Sequence, residues 1–385
     1  MSQVVIVGAG IVGAACAYYA ARAGLDVAVL ERGPVAGGST SHGEGNLLVS
    51  DKGAGPELAL AQDSRRLWLS LREELGEAYE FEEKGGLVVA STDSSLEGLH
   101  RFAAGQREAG VTAEVVDDPR RLEPHLGEHV LGGVYYPEDA QCQPVLAAQA
   151  FLLGAKANGA RLVQGEPSGV ELDPGGAVRG VRTRSGERLP ASAVVNAAGA
   201  WGGDVGGRLG APVTILPRRG FVLVTEPGPH RVRHKVYTAD YIDNVASSEA
   251  GLETSVVVEG TQGGTILIGA SRERVGFDPA LNPLVLQRLA AGAARLFPFL
   301  ADVRVMRVYR GFRPYCPDHL PVIGPDPRVP GVIHACGHEG AGIGLAPATG
   351  ALVTAYLLGT GVEGVEAAPY AALLPDRLLG EGATT

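Results

Sequence analysis

The chain opens on an unbroken apolar run, VVIV at positions 4–7, of the kind that forms a parallel-sheet strand buried on both faces. Gly8, Gly10 and Gly13 follow at G-x-G-x-x-G spacing. Residues 11–23 then read as a helix ended by Gly24, and a second apolar strand over 27–30 delivers Glu31. Each part has a mechanical reason. The first glycine permits the tight turn, the second lets backbone approach a pyrophosphate, and the third lets the helix pack on the strand. The helix N-terminus offers free N–H groups to phosphate, and a carboxylate at position 31 can accept both hydroxyls of an adenosine ribose. This order of elements predicts a dinucleotide site and leaves FAD and NAD equally open.

The polar–apolar pattern continues to alternate between helix and strand. After the turn at 32–34 comes GSTSHGEGN at 38–46, whose hydroxyls and glycines suit a loop against a ligand. Pro56 opens an amphipathic helix with Leu60, Leu67, Leu71 and Leu75 on one stripe and Gly76 closing it. Trp68 in that helix reads as core. Strand-rich sequence flanks a solvated helix at 96–109, and Pro144 starts another helix, 145–157, closed by Gly159. Short strands with sharp turns fill 161–183, and a buried strand at 193–196 breaks into AAGAWGGD. Residues 218–270 are β-rich, with Gly263-Gly264 as a hairpin turn. A helix at 283–297 and a strand at 303–309 lead to GFRPYCPDHLPVIGP. A strand at 332–335 leads to GHEGAGIGLAPATG, which enters a helix running to Leu358. The two kinds of segment interleave, so two domains are expected, each discontinuous: 1–85, 143–217 and 303–370 for the nucleotide, 86–142 and 218–302 for a substrate.

Composition narrows the picture. A chain of 385 residues can bury a large core, and a net charge of −10 with no basic cluster argues against a nucleic-acid partner. Arg22, Asp26 and the glycine spacing argue against a membrane span over 4–30. The first strand starts too early to leave room for a signal peptide, so a cytoplasmic protein is expected. Cys16, Cys142, Cys316 and Cys336 are far apart and form no C-x-x-C, so neither a disulfide framework nor a metal site is expected.

Four stretches together, the N-terminal βαβ with ERG, VVNAAGAW, GFRPYCPDHLPVIG and GHEGAGIGLAPATG, resemble the D-amino acid oxidase and glycine oxidase family of flavoproteins. The resemblance covers nearly the whole chain and implies an α/β fold: a Rossmann-like FAD-binding domain with a second, antiparallel-sheet (α+β) substrate domain. It also extends to the flavin subunits of heteromeric proline, hydroxyproline, opine or cyanide-forming dehydrogenases. Carried over by motif, Gly8, Gly10, Ile11 and Gly13 hold the pyrophosphate, and Glu31 with Arg32 the adenosine end. Ser39, Thr40 and Ser41 meet phosphate or ribityl oxygens. Gly45, Asn46 and Leu47 reach the flavin ring, and Gly340, Gly342, Ile343 and Gly344 its pyrimidine side. Arg313 matches the arginine that clamps the substrate carboxylate in family members acting on amino acids, a task that suits a planar guanidinium fork. Glycine oxidases carry a tyrosine on the strand that here reads SVVVEG; none occurs there, and Tyr241 is the substitute. Arg272 and His338 lie near motifs and read as surface or supporting residues. The cysteine through which monomeric sarcosine oxidases attach flavin has no match, so the FAD is expected to be non-covalent.

The activity implied is oxidation of the C–N bond of a small amino acid or N-substituted glycine. Hydride passes from Cα–H to flavin N5, the imine hydrolyses, and O2 is reduced to H2O2. No acid–base residue is demanded if the amine arrives unprotonated. The alternative keeps the half-reaction but passes electrons to a partner subunit. The substrate's side chain and the oligomeric state, a homo-oligomer included, stay open.

Overall fold

The N-terminal strand lies at the centre of a six-stranded sheet, in the order Val322–Pro325, Val332–Cys336, Ala193–Asn196, Gln3–Val7, Asp26–Glu31, Arg161–Gln164. All pairs are parallel except the outermost, Val322–Pro325 with Val332–Cys336. The computed structural model describes residues 3–76, 78–242 and 247–379. Burial on both faces explains the unbroken apolar strands: one face packs on the helices Ile11–Arg22, Pro144–Ala157 and Gly342–Leu358, the other on a three-stranded antiparallel meander over 167–190.

Helix Gly342–Leu358 has no polar face, as a helix enclosed by others requires. Pro347 sits inside it, and Ser64 repairs the local backbone by donating its Oγ to Gly344 O at 2.6 Å and accepting from Ala348 N at 3.3 Å. Trp68 Nε1 donates to the same carbonyl at 3.0 Å. Both come from helix Pro56–Leu75, which ends at Gly76 with φ 76°. Trp68 is therefore buried core with its one polar atom satisfied.

A second sheet has eight strands in the order Val305–Tyr315, Leu216–Thr225, Ile266–Arg272, Glu253–Gly260, Lys235–Thr238, Gly86–Ala90, Gly132–Tyr136, Glu114–Val116. Its pairs are antiparallel except Lys235–Thr238 with Gly86–Ala90. The strand period of two divides its work. Phe221 and Leu223 pack on helix Pro283–Leu296, while Gly220 and Val222 turn to the opposite face, where the functional cavity lies.

The strand expected to stop at 309 runs on through GFRPY to Tyr315, so this piece of the segment expected to belong to the nucleotide domain is hydrogen-bonded into the second sheet. Gly311 and Pro314 suggest a turn, yet this is an edge strand, where a proline leaves no central ladder bond unmade. The chain after Gly359 forms two short 3-10 turns at Ala368–Leu373 and Pro375–Leu378. Among the described residues no helix is long and apolar enough to cross a membrane.

Candidate active site

One open cavity runs between the two sheets. At one end its walls are backbone. Gly8, with φ +108°, has no room for a Cβ, which would lie 2.6 Å from Ala197 O. A Cβ on Gly13 would collide with Gly8 O, so this glycine is a packing requirement and does not itself line the cavity. A Cβ on Gly10 would meet only Thr40 Oγ1, at 3.2 Å, and would otherwise project into the cavity. The Glu31 carboxylate is fixed by Ala9 N–H at 2.7 Å and Gly33 N–H at 2.8 Å. Each oxygen keeps lone pairs for a ribose hydroxyl. Thr40 Oγ1 accepts from Ile11 N at 3.0 Å, locking loop to helix. Arg32 stacks over Trp201, 4.3 Å from the ring centroid, and lies 3.7 Å from Glu166.

Two helix N-termini reach this cavity: Ile11–Arg22, through Gly10 and Ile11, and Gly342–Leu358, through Gly340, Gly342 and Ile343. Neither has an acidic residue in its first turn, so both positive ends are free to act on a ligand. Backbone-walled space, a fixed ribose-type acceptor and two such helix ends fit a dinucleotide whose far end carries electron-rich carbonyls.

The loop at 38–46 divides between ligand and scaffold. Ser39, Thr40 and Asn46 line the cavity; Ser41, Gly45 and Leu47 do not. Ser39 Oγ donates to Phe312 O at 2.6 Å, and Ser41 Oγ to Gly38 O at 3.2 Å. Gly45, at φ +100°, makes room for Cys142 O, and Gly344 abuts the backbone of Asn46 and Leu47. The same loop contributes His42 and Glu44 to the cavity. Both stand inside the quoted motif, but their neighbours come from distant strands. Lys235 Nζ is hydrogen-bonded to Asn46 Oδ1 and to Glu259 Oε2 at 2.8 Å, and lies 3.8 Å from Glu44. Burial opposes the Lys235 charge, but Glu259 and Glu44 outweigh it and hold the ammonium above its ordinary pKa.

The other end of the cavity is charged. Arg313 lines it and, among the described residues, makes a single hydrogen bond, from Nη1 to Ser271 O at 2.8 Å. Burial, and then the neighbouring Arg272, push its pKa below the ordinary guanidinium value. Tyr241 also lines the cavity, edge-on to Tyr237 at 4.9 Å and under the Arg272 guanidinium at 4.6 Å. Glu339 lines it too, but is paired to Arg218 at 2.6 Å and to His319 at 3.3 Å. Burial drives the imidazole of His338, another lining residue, down to about 3, so it is neutral; its Nε2 lies 3.0 Å from Thr349 Oγ1. Cys316 and Cys336 are buried away from the cavity, and burial raises both thiols. Among the described residues no group of histidines, cysteines and carboxylates could hold a metal ion.

The family model described as DAO, FAD dependent oxidoreductase, matches residues 3–356. Glycine oxidase of Geobacillus kaustophilus (strain HTA426) is 29% identical over 362 residues, covering 91% of this chain and 91% of that protein. Hydrogen cyanide synthase subunit HcnC of Pseudomonas aeruginosa is 28% identical over 396 residues, again covering 91% of each. The crystal structure of glycine oxidase from Geobacillus kaustophilus matches with a TM-score of 0.85 at 28% identity, over 96% of this chain and 98% of that one.

Proposed function

Because the chain belongs to the family of FAD-dependent oxidoreductases, we propose that it oxidises the C–N bond of a small amino acid or N-substituted glycine. One observation carries this reading. A half-buried arginine with no carboxylate partner among the described residues, Arg313, faces the same cavity that receives the glycine-rich turn and both helix N-termini. Such a guanidinium is costly unless an anion completes it, and an amino acid's carboxylate is an anion with the matching fork geometry.

Each residue then has a task. Glu31 would hold a ribose, the start of Ile11–Arg22 the pyrophosphate, and the start of Gly342–Leu358 the electron-rich side of the ring. When bound, the flavin supplies the two-electron acceptor. Arg313 fixes the carboxylate and so decides where Cα–H points, which is the positioning this chemistry requires. Neutral His338 neither repels a cationic amine nor competes for the carboxylate. The amine reacts unprotonated, and the imine hydrolyses in water.

The test is anaerobic mixing of the purified protein with a panel of amino acids and N-alkylglycines while flavin absorbance is followed, then admission of air. Bleaching by an amino acid, with return of colour and peroxide in air, is the expected result. No bleaching by any of them would sink the reading. The likeness to a hydrogen cyanide synthase subunit supports a second reading, in which electrons pass to a partner protein. Bleaching without rapid return in air would favour it.

A further inference from the structure

Four carboxylates line the cavity: Glu31, Glu44, Glu166 and Glu339. In three of them both oxygens are engaged. Glu31 is held by two backbone N–H groups, Glu339 by Arg218 and His319, and Glu166 by Arg208 at 2.6 Å and Arg184 at 3.3 Å. Glu44, 8% exposed, is the exception. Its Oε2 accepts from Asn46 Nδ2 at 3.2 Å, while Oε1 is buried with no partner among the described residues. Leaving a buried carboxylate oxygen unbonded is costly, so a group outside the chain is called for to complete it.

The surroundings make room for this carboxylate. A Cβ on Gly269 would collide with Oε1, so the strand Ile266–Arg272 gives up a side chain to admit it. The charged and titratable groups that bear on Glu44 come from three other strands: Lys235, Glu259, and the pair Tyr309 and Arg313; His42 stands on its own loop. Lys235 is 3.8 Å away, too far for a hydrogen bond, and its ammonium is bonded to Glu259 at 2.8 Å. Lys235 and Glu259 thus answer each other. Glu44 and Arg313 remain as opposite charges that line one cavity and feel each other, with no ion pair between them among the described residues. A cation and an anion held apart in this way match the two ends of an amino-acid zwitterion.

We propose that Glu44 receives the substrate's nitrogen and takes its proton. This rests on the oxidase reading above and deepens it: the amino acid binds as the zwitterion, its carboxylate on Arg313 and its ammonium on Glu44. One N–H bond breaks and an O–H bond forms on Glu44, which frees the nitrogen lone pair to form the C=N bond as Cα–H departs as hydride. The proton passes from Glu44 to water when the product leaves. A 2-hydroxy acid brings no ammonium and should be a poor substrate.

The FAD-loaded protein, reduced with dithionite under argon, cannot accept a hydride, so amino acids bind to it without reacting and calorimetry reads their affinity. Proline and cyclopentanecarboxylate share a shape and differ in the nitrogen; sarcosine and butyrate differ in the same way. Within at least one pair the amine is expected to bind about ten-fold or more tighter, as a charge-assisted contact requires. Glu44→Gln should lose most of this preference, with the amine-free acid's affinity and the FAD content unchanged. Its amide takes no proton, so flavin reduction in this variant should climb with pH toward the amine's own pKa, while the wild type is already fast near neutral pH. Equal binding within both pairs by the wild-type protein overturns the assignment, and that comparison needs no variant to fold. A preference undiminished in Glu44→Gln overturns it too, as does a folded but colourless variant, which would give the oxygen to the cofactor. If the acids bind and Arg313→Ala abolishes their binding, the oxidase reading survives such a result. Acid binding indifferent to Arg313→Ala would remove both.

Discussion

The two ends of the cavity are built from different materials. The nucleotide end is backbone: glycines with no room for a side chain, helix N-termini, and a carboxylate held by two N–H groups. The substrate end is side chain: a guanidinium from a strand, with a phenol and a carboxylate from segments far apart in sequence. Backbone walls bind the invariant part of a ligand without needing titratable groups, whereas charged walls can be retuned one residue at a time. Substitutions should therefore fail in different ways at the two ends.

The largest effect should come from the glycines, and it should separate them. Gly13→Val forces a side chain into Gly8 O and should cost roughly 3 kcal/mol or more. Its thermal midpoint should fall sharply, with or without FAD. Gly10→Val points into the cavity, so it should keep a near wild-type apo midpoint yet purify colourless. A yellow, stoichiometrically loaded Gly10→Val protein would break the assignment of that end.

Arg313→Ala comes next. Losing a bidentate charge-assisted contact should cost roughly 1.5–3 kcal/mol, about ten- to a hundred-fold in affinity for the acid. FAD content should not change, and Arg313→Lys should recover only part of the loss. Stopped-flow reduction at increasing substrate reads this directly. Glu31→Gln should be milder, because an amide oxygen still accepts one of the two N–H bonds. A loss of about ten-fold in FAD affinity, followed by fluorescence titration of the apoprotein, is expected.

The last effect, silent at neutral pH, concerns His338. Its folded pKa is depressed from 6.5 to about 3, so between those values the unfolded chain binds a proton that the folded chain refuses. Stability is therefore fully present above pH 6.5 and is lost as the pH falls toward 3, with a slope of up to about 1.4 kcal/mol per pH unit. In urea titrations from pH 6.5 to 4.5, His338→Asn should show a shallower decline than the wild type. Equal slopes would show that His338 is protonated in the folded protein.

What the sequence disclosed follows the same division. The βαβ turn was legible because backbone geometry dictates residue type: Gly8 and Gly13 can be nothing else. Trp68 and the stripe of helix Pro56–Leu75 were legible through helical period. The extension of the last long strand through GFRPY was not, because only its place at a sheet edge makes Pro314 tolerable. Glu44, Lys235 and Arg272 were also obscure. A buried charge takes its meaning from its partners, and those are set by strand order, which no local window contains. Arg272, which in sequence reads as a surface or supporting residue, is instead buried, and among the described residues its Nε has no partner.

The placement of the N-terminal strand has a consequence for how the protein is made. Gln3–Val7 leaves the ribosome before its neighbours, Asp26–Glu31 on one side and Ala193–Asn196 on the other, with Val332–Cys336 beyond. Helix Ile11–Arg22 likewise waits for Gly342–Leu358 to cover it. At about 5–20 residues per second the wait lasts on the order of 15–60 s. Throughout it the helix stays without its cover, and until residue 196 has been made the strand keeps one bare edge. The nascent chain should thus be a client for holdase chaperones during most of its synthesis, and a ribosome stalled before residue 332 should carry a species that aggregates on release.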